Sequence, residues 1–178
     1  MNIINPFRQN IISKFKSWYS LVFVLALFGC NSIPSATEKL SVEKTLIVNA
    51  TAQKVWAFAG KWTGIDNLAP AVITNILSNG SEIGSFRILK LKDGGVIKEV
   101  MVDKSSTSYS YIIKKSPLPL SNYKSTIGVK DLGDGTSEFT WKSSFMADGV
   151  SDADAIKIIT ELYEGGLEVL KNKYSYRK

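Results

Sequence analysis

The chain has 178 residues, with 22 Lys and Arg against 16 Asp and Glu, a single cysteine and no histidine. That length suits one domain with a short tail, and it is enough for a sizeable core. The missing histidine excludes Ser-His and Cys-His catalysis and His-ligated metals, and the lone cysteine excludes an internal disulfide, a Cys-based zinc site and a CxxC redox pair.

Residues 1–29 read as an export signal. Arg8, Lys14 and Lys16 form a basic stretch without an acid, followed by the apolar run Trp18 to Phe28 (WYSLVFVLALF). A bilayer span needs about 20 apolar residues, so this run is too short for a stable transmembrane helix. Leu27, Gly29 and Cys30 resemble the bacterial lipobox, in which the cysteine is acylated and becomes the new amino terminus. A secretory signal with a free cysteine and an uncleaved anchor are the other readings. The position of the only cysteine, at the end of the apolar run, favours lipidation of Cys30. Asn31 in place of an aspartate favours the outer membrane over the inner. Thioether- and amide-linked acyl chains together give anchoring that one chain does not. Residues 30–40 then form the lipidated cysteine and a small, polar tether. Beyond the signal, 19 basic residues face 16 acidic ones, so the body is only mildly basic. With no arginine cluster, nucleic-acid binding is not expected.

The domain, residues 41–178, opens with a strand over Ser41–Asn49 that sets Val42, Leu46 and Val48 on one face. Thr51 caps a short helix, Ala52–Ala59, which Gly60 breaks, and a second short helical piece covers Trp62–Leu68. Six strands follow: Ala71–Ser78, Gly84–Leu91, Val96–Asp103, Ser108–Lys114, Asn122–Asp131 and Ser137–Ala147. Short connections make them an antiparallel meander. A long helix closes the chain, starting at Ser151 and Asp154 and presenting Ala155, Ile158, Ile159, Leu162, Leu167, Val169 and Leu170 to about Lys173. This order predicts an α+β domain, a curved seven-stranded antiparallel sheet wrapped around a long C-terminal helix.

Strand alternation sends a polar set to the apolar face of the sheet. Arg87 shares parity with Leu89 and Leu91, and Glu99 with Ile97 and Met101. Tyr109 and Tyr111 point with Ile113, Tyr123 and Ser125 with Ile127, and Trp141 and Ser143 with Phe139 and Phe145. Buried charges need partners or water. Arg87 and Glu99 therefore either satisfy each other across neighbouring strands or belong to a polar pocket. In the pocket reading, Arg87 holds a ligand carboxylate or phosphate, Tyr111 and Tyr123 orient a ligand oxygen, and Trp141, Phe139 and Met101 are apolar walls.

The chain resembles the START-like SRPBCC superfamily, specifically its polyketide cyclase/dehydrase and lipid-transport branch. The resemblance covers roughly residues 41–174. It is carried by Ala52-x-x-Val55-Trp56, Gly84-x-x-Arg87-x-Leu89-x-Leu91 with Gly94-Gly95, Glu99 and Tyr109-x-Tyr111. Pro117-Leu118-Pro119-Leu120-x-x-Tyr123, Trp141 and Tyr163-x-x-Gly166-Leu167 complete it. It implies a helix-grip fold (START/Bet v-like) with a ligand cavity between the long helix and the sheet, but no single activity.

Asp93-Gly94-Gly95 reads as a hairpin turn. Ser116–Ser121 is stiffened by Pro117 and Pro119, and resembles the second of two loops that close over the ligand in plant hormone receptors of the superfamily. Gly165-Gly166 inside the last helix either allows close packing on the sheet or leaves room for a ligand. Asp148, Asp152 and Asp154 do not match a calcium loop, and no metal or cofactor is implied.

Three functions follow. The leading one is an envelope lipoprotein whose domain binds a small hydrophobic or amphipathic ligand through Arg87, Glu99, Tyr109, Tyr111, Tyr123, Ser125 and Trp141, in a cavity of a few hundred Å³ and without turnover. The second is a cyclase or dehydratase using Glu99, Tyr111 or Tyr123 for acid–base chemistry, with Arg87 stabilising an enolate. The third is an accessory interaction module whose cavity is filled by its own side chains.

Overall fold

The computed structural model describes residues 39–175. The signal segment, Cys30 and most of the tether lie outside the described residues. In chain order the elements are β1 (Leu40–Val48), α1 (Ala52–Ala59), a 3-10 helix (Trp62–Asn67), β2 (Ile73–Ser78), β3 (Phe86–Leu91), β4 (Val96–Lys104), β5 (Ser108–Lys115), β6 (Leu120–Asp131), β7 (Ser137–Ala147) and α2 (Asp152–Tyr174). The seven strands form one open antiparallel sheet in the order β1-β7-β6-β5-β4-β3-β2. The expected α+β helix-grip architecture is the one observed.

Local chemistry sets the boundaries. The Thr51 hydroxyl accepts the Lys54 amide at 3.4 Å to start α1, and the Gly60 amide closes it on the Trp56 carbonyl at 2.7 Å. Ser151 caps α2 by accepting the Asp154 amide at 3.1 Å, while its hydroxyl donates to the Asp154 carboxylate at 2.7 Å. Asp152 and Asp154 thus serve the positive end of the helix, and Lys171 and Lys173 sit at the negative end. The Asp93-Gly94-Gly95 segment is a hairpin turn, with the Leu91 amide donating to Gly95 and the Gly94 amide to Leu91.

Most strands differ from the sequence expectation by one or two residues at one end or both, and one of these shifts has a structural cause. β6 begins at Leu120 rather than Asn122, so part of the proline-stiffened loop joins the sheet. Leu120 pairs with Ala147 and Ser121 with Met146 before the register shifts at a bulge ahead of Lys124. Asn122 absorbs that bulge in a left-handed conformation, φ +52°, which asparagine tolerates better than most residues.

Helix α2 lies over the inner face, chiefly against β1 and β7. Its buried stripe is Ala155, Ile159, Tyr163, Gly166 and Leu170, a spacing of three and four that keeps one face on the sheet. Ile158, Leu162, Leu167 and Val169 flank the stripe and are only half-buried. The described core runs from Val42 to Leu170 and draws on every strand and all three helices. Residues 39–175 therefore contain a complete hydrophobic core. Among the described residues, no helix is long and apolar enough to cross a membrane.

Candidate functional site

The inward polar residues separate into two clusters. The first is built on β3 and β4, whose register sets Arg87 directly opposite Glu99. Arg87 Nε donates to Glu99 Oε2 at 2.5 Å, and Nη1 donates to the Trp62 carbonyl at 2.6 Å and, at 3.4 Å, to the Tyr109 hydroxyl. The guanidinium carbon lies 3.9 Å from the centroid of the Trp62 ring and 4.9 Å from that of Tyr111. Arg87 is fully buried, and its Nη2 has no hydrogen-bond partner among the described residues. Arg87 and Glu99 thus satisfy each other across neighbouring strands, as one of the two sequence readings has it, and Glu99 also lines the interior cavity.

Burial disfavours the Arg87 charge, but Glu99 and the hydroxyls of Tyr109 and Tyr111 outweigh it and hold the guanidinium above its ordinary value. Burial also raises the Glu99 carboxyl, and Arg87 pulls against that rise. Arginine stays charged under all ordinary conditions, so the carboxylate is the group that must answer it.

The second cluster joins sheet to helix. Tyr123 and Tyr163 hydroxyls are 2.7 Å apart, and Ser125 Oγ lies 3.1 Å from Tyr163. Ser125 donates to the Lys142 carbonyl at 2.9 Å, and Trp141 Nε1 donates to Ser125 at 3.1 Å and to the Tyr111 hydroxyl at 3.3 Å. The Trp141 and Tyr163 rings stack with centroids 4.4 Å apart. Burial raises the phenols of Tyr109, Tyr111, Tyr123 and Tyr163, so all four are neutral hydrogen-bonding groups at neutral pH.

Between helix and sheet remains a cavity of about 50 Å³. Glu99, Tyr111, Tyr123 and Trp141 line it together with aliphatic residues from the 3-10 helix, β2 and β3. Val72, Ile113, Leu118 and Leu162 are its half-buried lining. This volume replaces the expected few hundred Å³. About 10–15 Å³ of such space is enough to hold a water, so the cavity is on the scale of a few waters. The reason is visible in the two clusters, whose rings and hydroxyls bond to one another and fill the interior.

The other residues expected in the pocket stand elsewhere. Arg87 and Ser125 belong to the bonded clusters, outside the cavity lining. Tyr109 and Met101 line a separate hollow, and Phe139 is fully buried in the core. Tyr163 was not among the expected site residues, yet it is the contact through which α2 reaches the polar set. Its spacing four residues after Ile159 and three before Gly166 was the available signal. Gly166 is explained by packing: a Cβ there would lie 2.8 Å from the Trp141 ring. Nothing in the structure explains Gly165, where a Cβ meets open space.

The sheet, the long helix gripped against it and the interior cavity define a START-like helix-grip domain. The family model for polyketide cyclase / dehydrase and lipid transport matches residues 39–175, and the chain belongs to that family. Among solved structures, the chain is similar to an uncharacterized protein from Bacillus thuringiensis at 28% identity and TM-score 0.65, covering 76% of this chain and 98% of that one. A START superfamily protein from Mycobacterium smegmatis shares the fold at 13% identity and TM-score 0.65, covering 75% and 96%. Norcoclaurine synthase from Thalictrum flavum, solved with dopamine and hydroxybenzaldehyde, shares it at 16% identity and TM-score 0.58, covering 88% and 99%. No curated protein is matched.

Proposed function

We propose that the chain is an envelope lipoprotein, anchored through Cys30 and facing the periplasm, whose START-like domain binds a small hydrophobic or amphipathic molecule without turning it over. The observation that carries the binding reading is the composition of the interior cavity. Its walls are aliphatic and aromatic, and its few polar groups, Glu99, Tyr111 and Tyr123, sit at fixed positions. The half-buried residues Val72, Ile113, Leu118 and Leu162 supply the movable part. A ligand larger than a few waters enters by displacing their side chains. The lipobox resemblance of Leu27, Gly29 and Cys30 supports the anchor, and Asn31 supports the outer membrane.

The absence of turnover is inferred from the inward groups. Glu99 is tied to Arg87 and the tyrosines are held as neutral phenols, so among the described residues no inward carboxylate stands free of a partner to act as a base. The small volume favours one second reading, an accessory module whose interior is filled by its own side chains.

Native mass spectrometry of residues 31–178, purified from periplasm without detergent, separates the two. The expected result is a stoichiometric adduct that Leu162→Trp removes by filling the cavity. A clean apo mass, together with no uptake of a neutral naphthalene probe, overturns the binding reading in favour of the accessory module.

A further inference from the structure

A second and larger hollow, of about 320 Å³, lies where the junction of α1 and the 3-10 helix meets the β2–β3 and β4–β5 turns. It shares no lining residue with the cavity between helix and sheet. Its volume is within the range of small-molecule sites.

Its wall is the half-buried Trp56 ring, and its floor the edges of the buried Trp62 and Tyr109 rings. Trp56 and Tyr109 pack with centroids 5.9 Å apart at 50°, and Trp62 meets Tyr109 edge-on at 5.5 Å. Met101 adds a polarizable apolar contact. The placement of Trp56 depends on Gly60, because a Cβ there would stand 2.1 Å from the indole. The half-buried Trp56 ring therefore folds back over the Gly60 backbone, and only glycine permits it.

The lining charges are of one sign. Lys61 and Lys104 line the hollow, and no carboxylate does. Lys104 Nζ is held by the Ser81 carbonyl at 2.7 Å and by Glu82 at 2.9 Å, which fixes the ammonium in place and offsets part of its charge. Lys61 is exposed and makes no ion pair among the described residues. Behind the Trp62 ring stands the Arg87 guanidinium, 3.9 Å from the ring centroid.

We propose that this hollow is a binding site for a flat aromatic anion. The ring system lies against the half-buried Trp56 indole, with only the edges of the buried Trp62 and Tyr109 rings beneath it, and a carboxylate or similar group is held by Lys61 and Lys104. The Trp56 ring selects a planar body, and the two ammonium groups select its charge. A long acyl chain exceeds the volume, and an aromatic cation meets like charge at the rim. The site is independent of the proposed carrier cavity, which is lined by other residues.

The test uses residues 31–178, which contain the complete core, and three probes: 2-naphthoate, the neutral 2-naphthylmethanol and the cationic 2-naphthylmethylammonium. Amide shifts are followed by NMR at Gly60, Ser81 and Ser105 for this site and at Leu118 and Leu162 for the interior cavity. Naphthoate is expected to shift the first set and to bind about tenfold tighter than the alcohol, as a charge-assisted contact implies. The exposed double variant Lys61→Glu, Lys104→Glu is expected to lose that preference while keeping the fold by circular dichroism. Leu162→Trp is expected to leave naphthoate binding unchanged, which distinguishes this site from the carrier cavity. Equal binding of acid and alcohol, shifts confined to Leu118 and Leu162, loss of binding in Leu162→Trp, or no shift at about 5 mM probe, too weak for a specific site, each overturns the proposal.

Discussion

Replacing Arg87 with methionine isolates the Arg87–Glu99 pair, because methionine keeps most of the side-chain length and removes only the cationic head. Glu99, 5% exposed, then faces no cation in a largely apolar interior. Leaving one partner of a buried pair uncompensated costs about 3–5 kcal/mol. Losing the guanidinium from the Trp62 face adds about 1 kcal/mol. Against a total stability of about 5–15 kcal/mol for a domain of this kind, that is a large fraction. The expected result in urea unfolding of residues 31–178, followed by tryptophan fluorescence, is a loss of about 4–6 kcal/mol. Arg87→Met combined with Glu99→Leu is expected to recover most of it, because both charges are gone and the space is apolar.

The pH dependence gives a second, independent reading of the same substitution. Burial raises Glu99, and Arg87 is the main influence opposing that rise. Without Arg87 the folded-state value climbs further above the unfolded value, near 4.3. A carboxyl raised in this way contributes stability below its unfolded value and loses it as pH rises through the folded one. Arg87→Met is therefore expected to be more stable at pH 5 than at pH 7.5, and adding Glu99→Gln flattens that difference. A loss below about 1 kcal/mol in the single variant, the scale of an exposed pair, with no change between the two pH values, refutes the claim that this pair governs the interior.

Gly166→Ala is expected to destabilise by about 1–3 kcal/mol, since its Cβ drives into Trp141 and forces apart a stacked pair. Gly165→Ala, facing open space, is expected to stabilise by about 0.5–1 kcal/mol through helix propensity alone. Alkaline titration tests the tyrosine cluster. Burial lifts Tyr111 and Tyr123 well above the ordinary 10.0, so their contribution is complete below that value and is lost as pH rises through the folded values. Tyrosinate absorbance from the buried phenols is expected to appear together with loss of circular dichroism, and independent titration without unfolding counts against the network. Cys30→Ser is expected to abolish incorporation of labelled palmitate and to release the protein from the membrane fraction; unchanged labelling removes the anchor proposal.

The sheet was legible because alternation is a strong signal when one face is buried. Lys90, Lys98, Lys124 and Lys142 mark the outer face of four strands, and Arg87 and Glu99 were placed inward by parity with Leu89, Leu91, Ile97 and Met101. The start of β6 was not legible, because Pro117 and Pro119 announce a loop while only the partner strand decides that Leu120 and Ser121 pair with β7. Parity also names the face a residue points to but not its partner. The pocket reading gives Tyr123, Ser125 and Trp141 to a ligand, and parity does not disclose that Tyr163, from a helix distant in sequence, also meets them.

That partner decides how the cavity works. Gly166 removes the side chain that would otherwise hold the helix away from Trp141, so the Trp141 ring reaches Tyr163, and Tyr163 in turn closes on Tyr123 and Ser125. This end of the interior is locked by hydrogen bonds on every hydroxyl involved, and opening it strands buried polar groups at about 1–3 kcal/mol each. On the other side, the Val72, Ile113, Leu118 and Leu162 side chains make apolar contacts only and are half-buried. Apolar contacts exchange for ligand contacts at little net cost, whereas stranded hydroxyls do not. Ligand entry in this domain should therefore move Leu118 and Leu162 and leave the tyrosine cluster intact. Leu118→Ala is expected to speed uptake of an apolar probe in stopped-flow fluorescence, whereas Tyr163→Phe lowers stability without speeding it; faster uptake in Tyr163→Phe alone would place the gate at the locked end.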